Sequence, residues 1–384
     1  MLRRPEKYYP LRVVVCGECW LVQAEAYSRA SELFNEEYAY FSSFSTAWLR
    51  HAETFARKAV RSLGLDSSSR VVEVASNDGY LLQYFQKLGI PCFGIEPTAS
   101  TADVARQRGL DIVQDFLTAR LARQIRADQP GTDLLVANNV LAHVPDLRDF
   151  VEACRILLNS SGVASFEFPH LMNLVEKNQF DTVYHEHFYY FSLQTVLDLF
   201  TECGLRLIHV EQIETHGGSL RIWATPLSSD QLEIGSSVER MISREQQAQV
   251  RSADYYRKMQ HRAETTKHCL LEYLLHARRT NRVVVGYGAA AKGNTLLNFA
   301  GVRSDLLPFV VDKSPHKQGK YLPGSRIAVR EPAQLMEGCY DDVVVFPWNI
   351  KDEIAAELRQ MGCKVNRLVT FIPEREFELL RVVT

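Results

Sequence analysis

The sequence predicts an α/β fold with two doubly wound parallel sheets and a small cysteine-bearing module in front of them. Three observations predict it. From residue 71 to residue 168, short apolar runs alternate with helical apolar spacing, as expected of parallel strands joined by crossover helices. A second strand, Gly-rich turn and helix opens at Val283-Val284-Val285-Gly286-Tyr287-Gly288. The chain has 384 residues, whereas single cores stop growing at about 250 to 300.

Taken in order, residues 1–37 form the small module, in which Val13 to Val22 reads as two short strands around a knuckle turn at Cys16-Gly17-Glu18-Cys19. Residues 38–226 form the first α/β domain. A helix from Ser43 to Leu65 leads into it, because Phe44, Trp48, Ala52, Phe55, Ala59 and Leu63 keep a helical period that stops at Gly64. Strands follow at 71–75, 92–95, 134–137 and 164–168, with helices at 80–88, 101–108 and 147–158 between them. Residues 227–280 form a linker rich in Glu, Gln, Arg and Lys, read as one long helix or two joined helices. Residues 281–384 form the second α/β domain, with further buried strands at Phe309-Val310-Val311 and Val343-Val344-Val345-Phe346.

Hydrophobic residues at 46%, charged residues at 23% and a net charge of −2 exclude a bulk attraction to nucleic acid or anionic lipid. There is no apolar run of about 18 residues, and Met1 to Lys7 lacks a signal-peptide core, so a cytoplasmic protein is expected. Of eight cysteines only Cys16 and Cys19 make a C-x-x-C pair. That is half of a structural zinc site, which usually takes four ligands.

The first turn, Ser76-Asn77-Asp78-Gly79, follows a buried strand with small and polar residues, so N–H groups at a helix start can approach a ligand. Glu96 ends the next strand, about 20 residues on, where an acid accepts ribose hydroxyls. Asp115 and Phe116 offer an adenine-side carboxylate and an aromatic wall. The turn lacks G-x-G-x-x-G, which favours an adenosyl ligand over a dinucleotide. Asn138, Asn139 and His143 stand at the carboxyl end of a strand, where open α/β sheets hold ligands.

Tyr184-His185-Glu186-His187 gathers a phenol, two imidazoles and a carboxylate, a set suited to removing a proton beside a carbonyl. Two other readings stay open from residue type alone. On an edge strand the aromatics would pack, and His185 and His187 would share one face, where they could hold a metal with Glu186 or His143 and make a metal-dependent hydrolase. Alternatively, two degenerate nucleotide folds would make a binding scaffold. In the second domain Lys292 at a Gly-rich helix start suits a diphosphate, while Asp312 at the next strand end keeps a dehydrogenase reading alive.

Several motifs then occur together in order: Tyr40-Phe41-Ser42-Ser43-Phe44-Ser45, Ala75 to Leu82, Ala137 to Pro145, Glu167-Phe168-Pro169-His170, Tyr184 to Phe188, Thr215-His216-Gly217-Gly218-Ser219-Leu220-Arg221, Gly286 to Asn294 and Val311 to Gly319. This set resembles the nucleotide-sugar C-methyltransferases, S-adenosylmethionine enzymes that methylate a ring carbon of dTDP-4-keto deoxysugars, and the resemblance runs from about Tyr9 to the C-terminus. It implies two Rossmann-like domains. S-adenosylmethionine is expected at Ser76, Asn77, Asp78, Gly79, Glu96, Asp115, Phe116, Asn138 and Asn139. A dTDP-sugar is expected at Tyr38, Tyr40, His216, Gly217, Gly288, Lys292, Asn294 and Asp312. The implied chemistry has His187 removing the proton next to the C4 ketone, Tyr184 or His143 stabilising the enolate and Glu186 orienting the imidazole. Methylation falls on C3 or C5, with sugar N- or O-methylation as the alternative. Members of the family carry an earlier C-x-x-C in a zinc-ribbon-like module. Cys16 and Cys19 match only the second pair, so the chain starts at an internal methionine or has lost the metal.

Overall fold

The computed structural model describes residues 5–25, 27, 41–229 and 233–380, which leaves Tyr38 and Tyr40 outside the described residues. The chain forms two compact units. One comprises Val13–Leu171 and His185–Val250, and the other Met1–Arg12, Met172–Tyr184 and Arg251–Thr384. The chain therefore passes from one to the other between Tyr184 and His185.

In chain order the first unit carries β1 (Val13–Val15), β2 (Val22–Ala24), α1 (Thr46–Leu63), β3 (Val71–Val74), α2 (Leu82–Lys87), β4 (Cys92–Ile95), α3 (Ala99–Gln107), β5 (Asp111–Val113), α4 (Ala119–Asp128) and β6 (Thr132–Asn138). It continues with α5 (Leu147–Leu157), β7 (Leu158–Pro169), β8 (Tyr189–Tyr190), α6 (Leu193–Glu202), β9 (Leu205–Ile213), β10 (Ser219–Pro226) and α7 (Ser236–Gln247). Helix α1 begins where the Ser45 side chain accepts the Trp48 N–H at 3.2 Å, a cap worth about 1 kcal/mol, and ends at left-handed Gly64. Ala52, Phe55, Ala56 and Ala59 form its buried stripe.

The large sheet has the order β5-β4-β3-β6-β7-β10-β9, parallel except that β10 runs antiparallel to β7 and β9. Strand order reverses at β3, whose neighbours are β4 and β6, so the ligand crevice of this sheet type opens at the carboxyl ends of these strands. The core beneath is aromatic and aliphatic: Phe166 meets Phe200 edge-to-face at 4.9 Å, and both are fully buried. Each such side chain contributes about 1.5–3 kcal/mol by leaving water.

The small N-terminal ribbon is not free-standing. β1 and β2 pair antiparallel, and β2 pairs in turn with β8, setting Val22 opposite Tyr190 and Gln23 opposite Tyr189. This rules against the alternative reading of a strand through the histidine cluster. Only Tyr189 and Tyr190 pair, while His185 and Glu186 lie in a turn, so the two histidines do not share a strand face.

The other unit carries α8 (Ala253–Arg279), β11 (Val284–Tyr287), α9 (Ala291–Ala300), β12 (Phe309–Val311), β13 (Ala328–Arg330), β14 (Tyr340–Val345), α10 (Lys351–Met361), β15 (Val365–Thr370) and β16 (Glu376–Leu379). Its sheet order is β13-β12-β11-β14-β15-β16, parallel but for β16. The polar stretch 236–280 is two helices: α7 stops at Gln247, and Ser252 restarts the chain by capping α8 through the Tyr255 N–H. Leu270, Tyr273, Leu274 and Ala277 of α8 are buried in this unit's core. Among the described residues no helix is long and apolar enough to cross a membrane.

Candidate active site

After β3 the chain turns through Ala75, Asn77 and Gly79, with φ of +52°, +50° and +77°. At Gly79 a side chain is excluded twice, since a Cβ would stand 2.2 Å from Leu110 Cδ1 and the positive φ disfavours it. The turn's polar groups are largely engaged within the protein. Asn77 Oδ1 accepts the Ser42 N–H at 2.9 Å. The buried Asp78 carboxylate accepts the Ser43 hydroxyl, and Arg108 donates to the Asp78 carbonyl at 2.6 Å. The Ser76 hydroxyl lies over Gly94, where a Cβ would approach it to 2.3 Å, so it faces the sheet.

Glu96 is fixed at the end of β4. Its two oxygens accept the N–H groups of Asn77 and Thr98, each at 2.9 Å. Phe116, beyond β5, exposes 39% of its surface, and Asp115 accepts the Phe116 N–H at 2.8 Å. A left-handed turn of small residues, an oriented carboxylate and an exposed ring fit an adenosyl ligand without phosphates. Sequence reasoning missed the pair behind them. Glu73, fully buried in β3, has its carboxyl pushed well above the usual range by burial, and the Tyr80 hydroxyl hydrogen-bonds to it and to Asn138.

At the end of β6 Asn139 takes a left-handed φ of +55° and donates its N–H to the Glu167 carbonyl at 2.8 Å. Its amide donates to His216 Nε2 at 3.4 Å. His216, Gly217 and Gly218 have positive φ in succession, at +55°, +90° and +114°, in the loop before β10. Below it lies a buried charge network that the sequence did not reveal. Glu167 accepts from Arg221 Nε at 2.6 Å and from His51 Nε2 at 3.0 Å, and Arg221 also binds Glu211 at 3.0 Å. Trp48 stacks on His51 with ring centres 4.8 Å apart and touches Tyr80 and His216 at 5.8 and 5.4 Å.

The residue 187 loop is stitched to the β6 loop by backbone. The Phe188 N–H donates to the Ala142 carbonyl at 2.8 Å, and the Phe188 carbonyl accepts the Ala24 N–H at 2.9 Å. This sets His187, 8% exposed, edge-to-face on His143 with ring centres 4.7 Å apart, and edge-to-face with Tyr190 at 6.0 Å. Burial pushes His143 down to about 4, opposed by a hydrogen bond with the Glu186 backbone, so His143 is neutral at neutral pH. Burial raises the Glu186 carboxyl. Tyr184 belongs to the other unit.

In that other unit Gly288 has φ +97° and is roofed by Pro347, whose Cδ stands 2.4 Å from where a Cβ would be. Asp312 accepts the Ala289 N–H at 2.7 Å, the Ser314 N–H at 2.9 Å and Lys317 at 3.5 Å. Two backbone N–H groups thus fix Asp312 as they fix Glu96, with Lys317 as an added cation. Lys292, at the start of α9, holds its ammonium 4.4 Å over the Trp348 ring and donates to Asn349 Oδ1 at 2.9 Å. Asn294 lies one helix position past Gly293, with its side-chain oxygen buried.

Cys16 and Cys19 form a knuckle: their side chains hydrogen-bond, and N–H groups of Cys19 and Glu18 lower the Cys16 thiol. The pair fits half of a tetrahedral thiolate site. Among the described residues no group of three or more His, Cys, Asp or Glu is placed to hold a metal, at the knuckle or at the histidine cluster.

Comparison with known proteins gives three family matches: "C-methyltransferase C-terminal domain" over residues 214–373, "Methyltransferase domain" over 48–210 and "Putative zinc binding domain" over 1–34. The chain is 32% identical to C-methyltransferase NovU of Streptomyces niveus across 96% of its own length and 87% of that protein's. It is 27% identical to a ubiquinone biosynthesis O-methyltransferase of Xylella fastidiosa, over 36% of this chain and 61% of the relative. Among solved structures, the PH0226 protein of Pyrococcus horikoshii aligns with 49% of this chain and 94% of its own at 14% identity and a TM-score of 0.41.

Proposed function

The chain belongs to the C-methyltransferase family and depends on S-adenosylmethionine, and from that premise we propose that it methylates a ring carbon, C3 in the first instance, of a dTDP-4-keto-deoxysugar made for an antibiotic or surface sugar. The observation that carries this reading is His187 packed edge-to-face on a neutral His143 beside the Asn138–Asn139 strand end. Carbon alkylation needs a base and a stabilised enolate, and two imidazoles in contact supply both.

S-adenosylmethionine, held by the turn backbone from Ser76 to Gly79, Glu96, Phe116 and Asn139, supplies an electrophilic methyl group. The chain's own residues do the rest. His187 takes the proton from the carbon beside the ketone, a role worth about 10²–10⁴-fold. His143, kept neutral by burial, has a single N–H and shifts it from the Glu186 backbone to the enolate oxygen as charge develops there. Tyr184, three positions before His187 in the chain, is a second donor, and the Glu186 carboxyl supports the histidine turn. Lys292, with Asn294 beside it, is the cation for the substrate diphosphate.

Incubation with methyl-labelled S-adenosylmethionine and a panel of dTDP-4-keto sugars, followed by NMR, tests the reading. A new carbon-bound methyl singlet or doublet on the ring is expected. Label found only on nitrogen or oxygen rejects carbon chemistry in favour of sugar N- or O-methylation.

A further inference from the structure

We propose that Asp181 is a positioning residue for nucleotide-sugar binding: by holding the Trp348 indole edge it sets the seat on which the Lys292 ammonium rests. The inference builds on the reading of Lys292 as the diphosphate cation. All the groups it uses lie within one unit.

Asp181 is 1% exposed, and an acid in such a place costs folding energy unless something compensates. Its Oδ2 accepts the Trp348 Nε1–H at 2.8 Å, while Oδ1 is buried without a hydrogen-bond partner among the described residues. Lys292 is its charged neighbour, and the interaction is visible in both groups. Burial pushes the Asp181 carboxyl up to about 6 against the pull of Lys292 and the indole N–H, and burial lowers Lys292 against the pull of Asp181.

Trp348 thus stands between the two charges, edge to the carboxylate and face to the ammonium at 4.4 Å. A hydrogen bond from the indole N–H to an anion adds electron density to the ring, and a richer ring face attracts a cation more strongly. The carboxylate is also rigidly placed. Thr182 Oγ1 bonds the Gln179 carbonyl at 2.7 Å, Thr295 of α9 bonds the Val183 carbonyl at 2.9 Å, and Phe180 packs edge-to-face on Phe299 at 5.6 Å. The turn so clamped to α9 leads directly to Tyr184. Asn349, which accepts from Lys292, follows Trp348, so one hydrogen bond to Asp181 orders both of the lysine's contacts.

Calorimetric titration with dTDP and, separately, with S-adenosylmethionine tests this on full-length Asp181→Ala, Asp181→Asn, Trp348→Phe and Lys292→Ala. Asp181→Ala and Trp348→Phe, which break the same bond from opposite sides, are expected to weaken dTDP about tenfold each and no more than that together. Asp181→Asn keeps an acceptor for the indole and is expected to stay within about threefold of the parent. S-adenosylmethionine affinity should be unchanged in all. If Lys292→Ala weakens dTDP but the Asp181 and Trp348 variants do not, the positioning role is wrong and the Lys292 reading survives. If Lys292→Ala has no effect, both fall. Loss of affinity for both ligands, without rescue by asparagine, makes Asp181 merely structural and overturns the proposal. Trp348→Phe decides the matter if Asp181→Ala does not fold.

Discussion

The turns that follow β3 and β11 are the same device put to different ends. In each, the turn is tied to the next strand, Ser76 N–H to the Ile95 carbonyl at 3.3 Å and Gly288 N–H to the Val311 carbonyl at 2.7 Å. In each, an acid just past that strand accepts a turn N–H: Glu96 from Asn77, Asp312 from Ala289. The difference lies in what else reaches the acid. Among the described residues no basic side chain pairs with Glu96, which leaves it able to accept hydroxyl donors. Asp312 has Lys317 at 3.5 Å, and Pro347 roofs its turn. A doubly wound sheet thus provides the same frame twice, and the two acids differ in whether a basic side chain reaches them.

The largest expected effect lies with the histidine that neither turn supplies. His187→Asn should lower turnover by about 10²–10⁴-fold while leaving S-adenosylmethionine affinity intact, measured by steady-state kinetics and calorimetry. Near-normal turnover would remove His187 from the base role. The two acids come next. Glu96→Ala should weaken S-adenosylmethionine about 10- to 100-fold, whereas Asp312→Ala should leave that affinity unchanged and lower the melting temperature. Equal effects of the two changes on cofactor binding would erase the distinction between the turns.

A smaller effect is a pH dependence of stability. Asp181, with its carboxyl pushed up to about 6, holds its proton more tightly folded than unfolded, where an aspartate titrates near about 3.9. Its contribution is therefore fully present below about pH 4 and lost as pH rises through 6. Urea midpoints of Asp181→Asn should lack that decline between these values, and a decline equal to the parent's would assign it elsewhere. The smallest effect concerns the ribbon. Because β2 is held by β8, Cys16→Ser or treatment with a chelator should change stability by less than about 0.5 kcal/mol in thermal unfolding, and a large drop would mean that a metal holds the ribbon.

Local signals in the sequence carried much of the frame. Ser45 and Gly64 bracket α1 because caps are written within a few residues, and Glu96 is found by its spacing from the turn. The edge-strand alternative for the histidine segment fails because only Tyr189 and Tyr190 find a partner strand. What stayed hidden depends on contacts distant in sequence. Glu167 meets His51 across 116 residues and Arg221 across 54, and Asp181 meets Trp348 across 167. Ser76 was legible as a small residue in a ligand turn, but its direction is set by Gly94 on the neighbouring strand.

The most direct test of proton abstraction by His187 is exchange in heavy water. The enzyme, a dTDP-4-keto-deoxysugar and S-adenosylhomocysteine in place of the methyl donor are followed by NMR. The account predicts deuterium entering the carbon beside the ketone faster than without enzyme, and no such gain with His187→Asn. Exchange that proceeds equally in that variant, or no enzyme-dependent exchange at all with a sugar that is methylated at carbon, contradicts it.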